Sequence, residues 1–239
     1  MSNHRIVNNA EHLELRVHTE PDRDRGDGVM ATLVVPDEFR RVQSEFPIVF
    51  RRNQADGRFT ALALFGFENG ENLFLDGSVW DARYRPLSLA VQPLLIGRAE
   101  DGVGAGQVHI DLDHPRIARD DSGTRLFEED GRPSPYLDDM AGKLGELHVG
   151  LDGMADLLAA LERHDMLEPF TLEVPLADGS KHSLVGFHIV DETKLRALDA
   201  DALNDLHRVG HLLPIFMAVA SLSQFSGLID RKNAKLADG

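Results

Sequence analysis

A chain of 239 residues, 42% of them hydrophobic, can bury a sizeable core, and 40 Asp plus Glu against 25 Lys plus Arg give it a net charge of −15. Such a surface repels phosphate backbones and anionic lipid, which counts against nucleic acid as a partner. With no cysteine, disulfides, thiolate metal sites and thiol nucleophiles are excluded.

The opening MSNHRIVNNAEHLELRV has no apolar stretch behind a basic start, so no secretory signal is expected and the cytoplasm is the default compartment. Leu13, Leu15 and Val17 alternate with Glu14 and Arg16, the period of a half-buried strand from Glu11 to His18. EPDRDRGDG follows as a solvated loop of mixed charge. Val29 to Val35 is a second strand ending at Pro36, and Asp37 is placed to cap a short helix through Glu45 that buries Phe39 and Val42. PIVF and FTALALFGF are strands, Asn69–Gly70 is a turn, and NLFLDGSVWDARY is a hairpin with Asp76–Gly77 at its tip. Trp80, beside that turn, reads as a cap on the core. LSLAVQPLLIG and QVHIDLD extend the run of strands with no long helix between them, the mark of an antiparallel sheet.

From Asp111 to Asp139 the chain is acidic and broken by Pro115, Pro133 and Pro135, a surface excursion. GLDGMADLLAALERHDML predicts an amphipathic helix capped by Asp152, with Leu157, Leu158 and Leu161 on one face. In FTLEVPLADGSKHSLVGFHIV, Phe170, Leu172, Val174 and Leu176 alternate up to the Asp178–Gly179 turn, and Val185, Phe187 and Ile189 form the returning face. Asp191 caps a short helix through Leu198.

Asp201 to Asp230 is the longest apolar-periodic segment, which predicts burial, and Pro214 predicts a kink or two helices meeting near Leu212. Its unbroken apolar part, Leu212 to Leu222, falls short of the ~20 residues that span a bilayer, so no transmembrane segment is expected. The predicted fold is α+β, a single body with an antiparallel β-sheet covered by amphipathic helices beginning near Leu151 and Ala202. The C-terminal helix lies in the core, and residues 1–28, a strand and a charged loop, attach to one domain over 29–239.

His109 and Asp111 share one face of a strand, half of the two-His-one-carboxylate set that holds ferrous iron with open positions. His188, or His182 on the same late hairpin, supplies the missing imidazole in a competing reading as an iron-dependent, oxygenase-like enzyme with Fe(II) as cofactor. HRVGH places His207 and His211 four apart, but Arg208 stands where a zinc peptidase needs its glutamate. The acidic residues from Asp120 to Asp130 lack calcium-loop spacing, no phosphate-binding or nucleophile-elbow motif occurs, and Ser221 and Ser223 lie in a buried-looking helix. No catalytic constellation forms by spacing, so the leading reading is a non-catalytic protein without a cofactor.

EFRRVQSEFPIVFRR, ENLFLDGSVWDARYRP, LFEEDGRPSPYLDD, LLAALERHDMLEPFTLEV, GFHIVDETKLRAL and LHRVGHLLPIFMAVASLSQFSGLIDRK, in that order, resemble the SapC family of bacterial proteins from about Leu33 to Lys232. The resemblance implies an accessory protein of a bacterial surface-layer system, or of uptake systems encoded with TonB-dependent receptors, flavin-dependent halogenase-like and cupin-like proteins. It thus implies a protein partner and association with the cell surface. It brings no catalytic residue set. Similar proteins tend to show an aromatic pair around a proline, preceded by arginines, where this chain has Leu89, Ala90, Val91, Gln92, Pro93 and Leu94. Asp111 lies in a matching part and His109 does not. The candidate ligand or partner surface is Trp80, Tyr84, Arg85 and Gln92.

Overall fold

The computed structural model describes residues 3–97 and 106–238. Short elements fill the first half: β1 (His4–Ile6), α1 (Asn9–His12), β2 (Arg16–Val17), β3 (Ala31–Leu33), α2 (Phe39–Val42), β4 (Ile48–Arg52), β5 (Phe59–Leu64), β6 (Leu75–Asp76), β7 (Val79–Trp80), α3 (Leu87–Ala90), β8 (Leu94–Gly97) and β9 (Gln107–Asp111). After β10 (Thr124–Arg125) comes the long α4 (Pro135–Arg163), then the hairpin β11 (Leu167–Pro175) and β12 (Lys181–Val190), and four helices: α5 (Glu192–Arg196), α6 (Ala200–Arg208), α7 (Leu212–Ser221) and α8 (Gln224–Asp238).

One sheet runs β11-β12-β4-β5-β3 and another β1-β9-β8, and every pairing in both is antiparallel. The fold is α+β, as expected. Two apolar cores lie under these sheets. The larger gathers Phe39, Phe46, Phe50 and Phe65 with Leu157 and Leu161. The smaller gathers Val17, Ile110, Leu126, Leu137, Met140 and Leu144. Each such side chain, fully removed from water, stabilises the fold by roughly 1.5–3 kcal/mol before entropy. α4 serves both cores, Met140 and Leu144 in the smaller and Met154 to Leu161 in the larger. Gly150 allows its close passage, since an added Cβ there would lie 2.5 Å from Val35 Cγ2.

Several expectations are corrected. Asn9–His12 is helical where a strand was expected from Glu11, because the Asn8 side chain accepts from Glu11 N and caps a turn. Leu87–Ala90 is a helix packed against α4, so only the second half of LSLAVQPLLIG is a strand. α4 begins at Pro135 under a Ser134 cap, leaving Asp152 in mid-helix. In β12, Phe187 pairs with Phe170 and Leu184 with Leu172, so Val185 and Gly186 together oppose Thr171. This bulge, with Gly186 at φ +82°, flips the face: Leu184 is buried and Val185 is exposed.

At the C-terminus two helices do meet near Leu212, broken at Gly210 (φ +81°), and Pro214 falls in the first turn of α7, where its N–H is not needed. Burial of the whole segment is not observed. Ile215, Ala218, Ser221, Phe225 and Leu228 face the core, whereas Leu213 and Phe216 are each 54% exposed. Leu212–Ala237 also has the length and composition of a membrane-crossing helix, with a window of mean hydropathy 1.8 that is 33% buried. The break between α7 and α8, at Leu222 and Ser223, divides it.

Candidate functional site

The charged loop before β3 is not solvated throughout. Asp22 caps a 3₁₀ turn over Arg23–Arg25, and Gly26 at φ +101° turns the chain inward so that Asp27 is fully buried. Asp27 accepts from Arg85 Nη2, Arg116 Nη2 and its neighbour Asp22 N. Asn72 holds the loop in place by donating to the Asp27 carbonyl at 2.8 Å. Arg116, 1% exposed, also donates to the carbonyls of His18 and Glu20. Burial pulls its pKa below the ordinary arginine value and Asp27 opposes that, so it stays a cation. Among the described residues, two guanidiniums thus share one carboxylate, a local excess of positive charge.

Above this floor opens a cavity of about 590 Å³ between the two cores. Arg85, Arg116, Tyr84 and Arg41 line one side, and the first turns of α4 line the other with Tyr136, Asp139, Met140, Lys143 and Glu146. Both tyrosines of the chain are here. Tyr84 donates to Glu38 Oε1 at 2.6 Å, and Arg41 lies 4.5 Å over its ring. Glu38, fully buried, also accepts from Leu87 N and Val35 N. Burial and the Glu38 bond push the Tyr84 phenol well above its ordinary value. Burial likewise raises Tyr136, while Arg116 and Arg85 draw it back. At the rim Lys143 pairs with Asp139 at 2.7 Å and Arg41 with Glu146 at 4.0 Å. Neither Asp27 nor Glu38 is part of the cavity wall.

Three of the four residues expected at a ligand surface, Tyr84, Arg85 and Gln92, line this cavity. Trp80 does not: it packs on Phe46, Phe65 and Phe74 and donates to the Tyr84 carbonyl at 2.9 Å, steadying the segment from behind. Gln92 lies close to Gly26, whose added Cβ would approach its Oε1 to 2.9 Å. Asp27, Arg41, Arg116 and Tyr136 were missed. Two glycines flanking a single aspartate, and the only other tyrosine, were the available signals.

The expected metal set is divided between two sheets. His109 and Asp111 are on β9 and His188 is on β12. His109 packs its ring on Gly97, Asp111 accepts from Asn3 N and Asp113 N, and His188 sits edge-on to Phe59 at 4.9 Å. Among the described residues, no group of three or more His, Cys, Asp or Glu side chains converges as a metal site. His207 and His211 are parted by the end of α6. Ser221 is spent on structure, donating to Ala218 O and accepting from Ile48 N at 2.8 Å.

No curated protein and no solved structure shows a significant match to this chain. The SapC family model matches residues 7–228, starting well before the stretch that carried the resemblance and taking in Asp27. With nearly the whole of its length matched, the chain belongs to the SapC family.

Proposed function

We propose that this protein is a non-catalytic accessory protein that holds a ligand in the cavity between its two cores. The observation that carries this reading is the wall itself. Guanidinium, ammonium and phenol donors converge on one space, and the carboxylates at its rim already face cations. Such a set binds and orients. A volume of about 590 Å³ lies within the range of small-molecule sites, which favour junctions between packed units. Family membership supports service to a bacterial surface-layer system, or to one built on TonB-dependent uptake and halogenase-type enzymes, through a protein component of that system.

The test is cross-linking and affinity recovery from native cells, with wild type compared to a Tyr136→Ala and Arg41→Ala double variant. Recovery of a surface-layer, receptor or modifying-enzyme component, reduced at least threefold by the cavity variant, is the expected result. A chain that recovers no such component, and whose deletion leaves surface assembly and uptake unchanged, refutes the proposal.

A further inference from the structure

The charges around the cavity are arranged asymmetrically. Both buried carboxylates, Asp27 and Glu38, lie behind the wall with their oxygens engaged. Both exposed carboxylates at the rim have a cation beside them. Arg85 is different. Among the described residues only its Nη2 has a hydrogen-bond partner, its Nε is buried without one, its guanidinium carbon stands 6.0 Å from the Trp80 ring centroid, and it shares Asp27 with a second arginine. Arg116 carries an Nε of its own with no partner among the described residues, and at 1% exposure it is a built element of the floor. Among the described residues, two guanidiniums against one carboxylate make a local excess of positive charge at the base of a part-enclosed cavity, on a chain whose total is −15. There the local dielectric makes an arriving anion worth more than on an open surface. Beside that charge lie apolar and aromatic surfaces from Tyr84, Leu87, Tyr136 and Met140.

We infer that the cavity takes a small organic anion, a carboxylate or a phosphate monoester, with its anionic group on Arg85 and its apolar body between Tyr84, Tyr136 and Met140. This rests on the reading of the cavity as the binding site. The planar fork of an arginine suits either oxyanion. Removing Arg85 leaves Asp27 paired one to one with Arg116 and bonded by Asp22 N, so an Arg85→Gln variant retains a neutral floor and folds.

The experiment uses full-length, isotope-labelled protein titrated with phenylacetate, phenyl phosphate and the neutral phenylacetamide, followed by backbone amide shifts and Trp80 fluorescence. Expected is saturable binding of at least one anion, with shifts at Tyr84, Arg85 and Tyr136, and at least tenfold weaker binding of the amide. Arg85→Gln weakens the anion by roughly ten- to a hundredfold, the value of one charge-assisted hydrogen bond, and weakens the amide much less. Whichever anion binds more tightly tells carboxylate from phosphate. Amide binding as tight as the acids leaves a cavity that binds but overturns its anion specificity, and this wild-type comparison does not depend on the variant folding. Absence of shifts at every cavity residue with all three probes overturns both readings.

Discussion

Replacing Asp27 with asparagine removes the one charge that two guanidiniums share, Arg116 buried and Arg85 part-exposed at the cavity. Volume is preserved, so packing stays and electrostatics changes. In the wild type the carboxylate is fully buried and Arg116 is 1% exposed, so water cannot take over its role. Breaking a buried pair by removing one partner costs about 3–5 kcal/mol, because the remaining charge is left uncompensated. Here two are left, and the backbone acceptors of Arg116, the His18 and Glu20 carbonyls, carry no formal charge. Against a typical stability of about 5–15 kcal/mol this is a large loss. At roughly 2–4 °C per kcal/mol for a chain of this size, it lowers Tm by about 6–20 °C in calorimetry. The same substitution in an Arg85→Gln background costs less, since one cation has already gone, and the coupling in the double-mutant cycle exceeds about 1 kcal/mol. A Tm drop below about 2 °C, or strict additivity of the two changes, refutes the account of the floor.

Ser221→Ala strips the buried Ile48 N–H of its acceptor at the junction of α7 and β4 and costs about 1–3 kcal/mol in urea unfolding. Gly186→Val places a branched side chain at φ +82° with open space around it, so backbone strain alone lowers stability by about 1–3 kcal/mol, and the change in urea midpoint reads it directly. His114, His188 and His211 are held below the ordinary imidazole value, by burial first in each case. Their folded forms therefore bind fewer protons than the unfolded chain, so the contribution of these three groups to stability is flat above about pH 6.5 and declines as pH falls below it. His188→Phe, whose ring fits the edge-on contact with Phe59, flattens that decline in urea midpoints taken from pH 7 to pH 5.

Much of the strand framework was readable from period-two alternation, and Asp178–Gly179 marks the tip of the long hairpin as expected. Three of the cavity's residues were also within reach, Tyr84 and Arg85 beside the Trp80 turn and Gln92 in the segment that departs from similar proteins. What escaped has physical causes. Asp27 looks solvated because charge composition is local, whereas its burial depends on arginines 58 and 89 residues away. The first half of α4 was hidden by Gly142, Gly145 and Gly150, which lower helix propensity without ending a helix that packing supports. Val185 was given the wrong face because a single extra residue shifts a two-residue period. The exposure of Leu213 and Phe216 shows that hydropathy marks a stripe but not how much of it finds a neighbour.

α4, 29 residues and therefore about 44 Å long, is a rod driven through both halves of the body. Neither half can swivel on the other while that rod is seated, because each grips a different stretch of it. Heat or denaturant will therefore bring both halves down in a single sigmoid. The chamber at their seam keeps its width because one wall is a beam anchored at both ends.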